Sequence, residues 1–156
     1  MGRKLVRRKM IFAQMKETHV AQVAELEKLC FGTAAWSEKS ITSELTNPLS
    51  LWLVAVEEGR VLGYVGSQTV MDETDMMNVA VHPDCRGQGI ATGLIVGLIG
   101  ALKLRGSRCL TLEVRATNEP AKGLYRMLDF QEIGIRKNYY RNPREDALIL
   151  RKEWEV

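Results

Sequence analysis

The stretch of this chain with the most chemical content runs Asn78-Val-Ala-Val-His-Pro-Asp-Cys-Arg-Gly-Gln-Gly-Ile-Ala91. It reads as a strand, a glycine-containing turn and the start of a helix. That order makes an anion site. The first amides of a helix have no partner in the helix, and the helix dipole favours negative charge at that end. Gly87 and Gly89 let the backbone approach a bulky phosphate, and Arg86 adds a full positive charge. The stretch contains neither G-x-x-x-x-G-K-[ST] nor G-x-G-x-x-G, so it is neither of the two common nucleotide loops. A glycine turn with no ligand would have the same spacing.

Two other segments could line a site. Leu110–Val114 reads as a strand whose second face carries Cys109, Thr111, Glu113 and Arg115. Asn118 is placed to cap a helix with Pro120 in its first turn, along which Ala121, Leu124, Tyr125 and Leu128 form an apolar stripe. On spacing alone Glu113 is a strand carboxylate that could pair with Arg115 or Arg136, and Tyr125 is a core tyrosine.

The elements that must position these residues follow from periodicity and punctuation. Met10–Met15 reads as a strand, and residues 18–30 carry a helical stripe of Val20, Val23, Ala24, Leu26, Leu29 and Cys30. Ser37 is an N-cap for a helix over Glu38–Leu45, ended near Asn47-Pro48. Leu51–Val56 and Val61–Val70 are strands joined at Glu58-Gly59. A turn over Asp72–Asp75 leads to a strand Met76–Val81, which His82-Pro83 stops. Ile90–Leu104 is a helix despite Gly93, Gly97 and Gly100, each costing up to about 1 kcal/mol relative to Ala. Strands over Glu132–Tyr139 and Ala147–Leu150 close the chain. The order β-α-α-β-β-β-α-β-α-β-β predicts an α/β (α+β) fold. Its mixed, mostly antiparallel sheet has about seven strands, with helices on both faces and parallel neighbours at the helical crossovers.

Length and charge exclude other classes. The 156 residues fit one domain able to bury its own core. The net charge of +3 suggests nucleic-acid binding until it is located. Five of the 22 basic residues (Arg3, Lys4, Arg7, Arg8 and Lys9) fall in residues 1–9, which hold no acidic residue. The remainder, 17 basic against 19 acidic, has a net charge of −2. Residues 1–9 are therefore expected to be a disordered basic tail and 10–156 a single domain whose core is not expected to bind nucleic acid. The uncharged run Gly87–Leu102 is shorter than the roughly 20 residues of a membrane span, and no signal peptide is evident. Three widely spaced cysteines, Cys30, Cys85 and Cys109, suggest thiols in a reducing, cytoplasmic setting. His19 and His82 do not stand at zinc spacing from them, so no metal is expected.

Arg86-x-x-Gly89-x-Ala91 resembles the R/Q-x-x-G-x-G/A pyrophosphate loop of the GNAT superfamily of N-acetyltransferases. Leu112–Asn118 resembles that family's second motif, and Gly123–Phe130 resembles its L-Y-x-x-x-G-F ending. Trp36–Lys39, Arg136–Tyr140 and Arg144–Ala147 are similar to the bacterial RimI-like subfamily, which acetylates the N-terminal alanine of ribosomal protein S18. The similarity spans roughly residues 10–150. It implies the GNAT fold, acetyl-CoA as co-substrate and a protein N-terminus as acceptor. It implies cofactor contacts from the backbone of Val79, Ala80 and Val81, from the loop Arg86, Gly87, Gln88, Gly89, Ile90, Ala91 and Thr92, and from Asn118. It implies Glu113 as general base and Tyr125 as general acid, with Trp36, Tyr139 and Tyr140 beside the acceptor.

The implied chemistry is direct transfer. A peptide α-amine has a pKa of about 7.7–8.0, so a carboxylate or a water it polarises suffices to deprotonate it, and a phenol can protonate the departing thiolate. Cys85 and Cys109 then need not be nucleophiles, although Cys85 could be a redox-sensitive thiol. Asp129 stands where the family has glycine, and Ala91 replaces a commoner glycine. Aspartate tolerates the left-handed conformation better than most residues, so the turn at Asp129 should survive. Two other readings share the sequence: a GNAT enzyme acting on lysine side chains or a small amine, and a non-catalytic module binding acyl-CoA or ribosomal RNA.

Overall fold

In the computed structural model, which describes residues 9–155, seven strands form one sheet in the order β1-β2-β3-β4-β5-β7-β6. β1 (Met10–Gln14), β2 (Ser50–Glu57), β3 (Arg60–Val70) and β4 (Glu73–Val81) form an antiparallel run. Helix α3 (Ile90–Leu104) carries the chain over to β5 (Cys109–Arg115), which lies parallel to β4. Helix α4 (Glu119–Met127) leads to β6 (Gln131–Tyr140) at the sheet's edge. Strand β7 (Glu145–Glu153) returns between β5 and β6, antiparallel to both. The α4 crossover therefore gives no hydrogen-bonded parallel pair, because β7 fills the place beside β5. Except for Lys9, the basic N-terminal stretch lies outside the described residues.

Helices cover both faces, which explains why β2 is a continuous apolar run instead of an alternating one. Its Leu51, Leu53 and Ala55 pack on the side of α3 and α4, and Trp52 and Val54 on the side of α1 (Glu17–Phe31) and α2 (Glu38–Glu44). In α3, Leu94, Ile95, Leu98 and Leu102 are fully buried, each such side chain contributing about 1.5–3 kcal/mol of burial. Gly93 has a packing reason, since a Cβ there would lie 2.4 Å from the Phe12 ring. At Gly100 nothing lies within 4 Å, and nothing in the structure explains the glycine.

The caps expected from the sequence form. Ser37 Oγ accepts from the Ser40 amide at 3.0 Å, and Asn118 Oδ1 from the Ala121 amide at 3.2 Å. Asp129 adopts a φ of 67° and keeps the turn after α4. Strand β4 begins at Glu73, earlier than expected, so the turn is confined to Met71-Asp72. The added residues pair on both sides, with β3 and with Cys109–Thr111. Buried Thr74 links to Thr69 and Ser107 through hydroxyl contacts of 2.7 Å each.

Candidate active site

The sheet opens between its two parallel strands. β4 and β5 pair only at Glu73–Asp75 against Cys109–Thr111, although β4 continues to Val81 and β5 to Arg115. Beyond Asp75 the strands have splayed. His82 N donates to Leu62 O of β3, so by strand alternation Ala80 also faces β3, while the backbone groups of Val79 and Val81 face the opening. A bulge strengthens the splay: Gly66 pairs with Asn78 and Ser67 with Met76, leaving Met77 as the extra residue.

The glycine loop closes one end of this opening. Gly87 (φ 78°) and Gly89 (φ 79°) are left-handed, a conformation that penalises any side chain, and open space surrounds both. Gly89 caps α3, whose first bond is Gly93 N to Gly89 O at 3.0 Å. The amides of Ile90, Ala91 and Thr92 precede that bond and lie at the positive end of the helix dipole. The Arg86 guanidinium folds back along β4, donating to Val81 O at 3.2 Å and to Cys30 Sγ at 3.6 Å. The sequence marks Cys30 only as a stripe residue and a free thiol, with no sign of this contact. Cys85 is buried in the core beneath the loop.

The other side of the opening is bordered by β5, with β7 and then β6 beyond it. Glu113 is partly buried. Its Oε2 is shielded from solvent, has no partner of hydrogen-bond geometry among the described residues and lies 3.3 Å from Arg136 Nε, so Glu113 does pair with Arg136. Arg115 is used differently. Its guanidinium lies 4.4 Å from the Tyr140 ring and donates to Pro143 O, Arg141 O and Glu145, which ties down the hairpin loop. Glu145 also accepts from Thr117 N (2.6 Å) and Oγ1 (2.5 Å), and these bonds hold its carboxyl below the usual range.

Two phenols lie within electrostatic reach of this carboxylate, and a third reaches one of them. Tyr139, half-exposed, meets Tyr140 edge-on at 5.1 Å. Burial and then the Glu113 carboxylate push the Tyr139 hydroxyl up, and the same two causes push Tyr140 up to about 12. Tyr125 is 3% exposed, lies edge-on to Phe130 at 5.4 Å and is held above the ordinary phenol range by burial and then by Tyr140. Tyr140 is thus within electrostatic reach of both Glu113 and Tyr125. A carboxylate and a proton-holding phenol, each within reach of one tyrosine, are groups suited to general base and general acid work. Asn118 spends its oxygen on the α4 cap.

Trp36 precedes the Ser37 cap of α2 and packs on the α1/α2 face of the sheet, the face opposite Tyr125. Its ring meets Trp52 edge-on at 5.4 Å, so part of its role is packing. Its amide donates to Glu27 Oε1 at 2.8 Å. Sequence reasoning missed Glu27. The available signal is that it continues the apolar stripe Val20, Val23, Ala24 at the next helical position. Among the described residues no group of three or more His, Cys, Asp or Glu side chains is placed to hold a metal ion, and no helix is long and apolar enough to cross a membrane.

The decisive comparison is with protein families. Residues 20–130 match the model of the acetyltransferase (GNAT) family. The chain belongs to the GNAT acetyltransferase family. A curated relative from Escherichia coli K12, named [ribosomal protein bS18]-alanine N-acetyltransferase, is 40% identical to this acetyltransferase over 117 residues, covering 74% of this chain and 78% of its own. A Bacillus subtilis protein provisionally given that name is 39% identical over 137 residues, 87% of this chain and 90% of its own. The crystal structure of the E. coli ribosomal-protein-S18-alanine N-acetyltransferase superposes with a TM-score of 0.86 at 33% identity, covering 95% of this chain and 96% of that one. The GNAT fold, with helices on both faces of a mostly antiparallel seven-stranded sheet, is thus the fold expected from the sequence.

Proposed function

We propose that this acetyltransferase moves an acetyl group from acetyl-CoA to the α-amine of a protein N-terminus, an alanine, and that its acceptor is ribosomal protein S18. What supports this reading is Glu113 on β5, which borders the opening, with Tyr139 and Tyr140 in its electrostatic reach and Tyr125 in reach of Tyr140, in a chain whose relatives are named for that acceptor. Acetyl-CoA supplies an activated acetyl thioester. The residues present fit it: open space at Gly87 and Gly89, free amides at Ile90, Ala91 and Thr92, and the backbone of Val79 and Val81 turned to the opening.

In this reading the amides from Gly87 to Thr92 hold the pyrophosphate, assisted by Gln88 and by Arg86 once it leaves Val81. The backbone groups of Val79 and Val81 align the pantetheine arm, Ala80 between them being spent on β3, and the Nδ2 of Asn118 is left for a cofactor contact. Glu113 receives the proton of the acceptor ammonium at its carboxylate, directly or through one water. The Val79 amide faces the developing negative charge. Tyr125 donates its phenolic proton to the leaving sulfur. Trp36, Tyr139 and Tyr140 flank the acceptor. We place the reaction in the cytoplasm, where the acceptor is made.

A panel of peptides differing only at residue one tests the acceptor class. Free N-terminal alanine or serine should be acetylated at the α-amine, and blocking that amine should abolish transfer even when lysines are present. Indifference to the terminus would instead assign a side-chain or small-amine acceptor. The ammonium of a lysine, with a pKa of about 10.4, requires stronger deprotonation.

A further inference from the structure

Glu27 is fully buried in α1, and the chemistry proposed above does not use it. A buried carboxylate is costly unless its oxygens accept hydrogen bonds, and a leucine would complete the α1 stripe without that cost. Glu27 instead collects three donors from three separate parts of the chain. Oε1 accepts from the Trp36 amide at 2.8 Å, and Oε2 accepts from Asn78 Nδ2 at 2.6 Å and from the Tyr64 hydroxyl.

The three donors are distributed informatively. Trp36 begins the segment proposed to flank the acceptor. Asn78 adjoins the Met77 bulge and directly precedes Val79, whose amide is proposed to face the developing charge. Tyr64 lies under both, stacked on Trp52, which meets the Trp36 ring.

We propose that Glu27 is a positioning residue for acetyl transfer, fixing the acceptor-side Trp36 segment and the bulged cofactor strand at one mutual distance. The inference rests on the reading of Trp36 and Val79 given above. It differs from a role in folding alone because one side chain joins both reactant sides at directional bonds to fixed atoms. Glu27→Gln keeps the volume but replaces one acceptor oxygen with a donor, which either opposes the Trp36 amide or is met only when the Tyr64 hydroxyl and the Asn78 amide reverse their own donors.

The test compares Glu27→Gln with Leu102→Ala, which removes buried volume at the far end of α3 and touches neither Trp36 nor Asn78. Compared at temperatures giving equal distance below each melting point, Glu27→Gln should lose roughly 10- to 100-fold in kcat/KM for an alanine-initiated peptide, the loss expected from one charged hydrogen bond. Much of that loss should be a raised acceptor KM, with the acetyl-CoA KM held within about twofold. In the free protein, hydrogen exchange at the Trp36 amide should accelerate relative to amides of β2. Asn78→Ala removes one donor from outside the carboxylate and should reproduce the acceptor KM shift, even if Glu27→Gln does not fold.

Equal kinetic losses in Glu27→Gln and Leu102→Ala, or unchanged Trp36 exchange in Glu27→Gln, would overturn the proposal. If the wild-type chain transfers acetyl to no free N-terminus, the underlying functional reading fails, and the exchange arm alone then decides whether Glu27 fixes Trp36.

Discussion

Removing the hydroxyl of Tyr125 should separate catalysis from stability. The side chain is 3% exposed, and its ring contact with Phe130 survives replacement by phenylalanine. Among the described residues none hydrogen-bonds its hydroxyl, so Tyr125→Phe removes no such partner there. Unfolding stability should therefore stay within about 1 kcal/mol, or roughly 2–4 °C in melting temperature for a chain of this size. Burial and then Tyr140 raise the phenol's pKa, so the proton is present throughout the neutral range and available to a leaving thiolate. Loss of a positioned acid typically costs 10²- to 10⁴-fold, or about 2.7–5.4 kcal/mol on the barrier. Steady-state kinetics with acetyl-CoA and an alanine-initiated peptide, alongside thermal unfolding, read both quantities. The wild-type pH profile should rise as the α-amine deprotonates, near pH 8, and show no descending limb below about pH 10. A Phe variant with more than half of the wild-type kcat, or a wild-type descending limb near neutrality, would refute the assignment.

Other outcomes follow from packing and charge. A Cβ at Gly66 would lie 2.4–2.6 Å from three atoms of the Trp52 indole, which is buried, stacked on Tyr64 and held at Nε1 by Glu44 at 3.1 Å. Gly66→Ala should therefore lose about 1–3 kcal/mol, whereas Gly100→Ala, in open space, should gain about 0.5–1 kcal/mol; thermal unfolding that reverses this order would contradict the packing. Burial, then Glu113 and Glu73, raise the Asp75 pKa in the folded chain. The folded state then holds the proton to higher pH than the unfolded one, so stability falls as pH rises through that window. Asp75→Asn should accordingly stabilise the protein at pH 7, and the gain should vanish on acidification below the unfolded carboxylate value of about 3.9. Denaturant titrations at both pH values measure this, and a gain that persists in acid would show a different cause.

Much of the fold was legible because its signals are local. Ser37 and Asn118 cap the helices they were expected to cap, and Ile90–Leu104 is helical over its whole expected span. The start of β4 was not legible, because Glu73 and Asp75 have the composition of a turn and are held in the sheet by pairing with a strand more than 30 residues away. The glycine loop could be read as an anion site from its spacing, whereas Glu113 and Tyr125 acquired roles only through family resemblance. Periodicity alone makes Tyr125 a core residue, and in the structure it is also that. Glu27 left only the trace of a carboxylate on an apolar stripe. Its donors at residues 36, 64 and 78 are brought together by the tertiary fold.

The central claim is that Glu113 serves as the base for N-terminal acetyl transfer. Mass spectrometry of an alanine-initiated, lysine-containing peptide incubated with acetyl-CoA tests it most directly, comparing the native chain with Glu113→Gln. The native chain should add one acetyl group, located on the α-amine, and Glu113→Gln should be slower by about 10²-fold or more. Undiminished transfer by Glu113→Gln, or acetylation of lysine regardless of the terminus, would contradict the account.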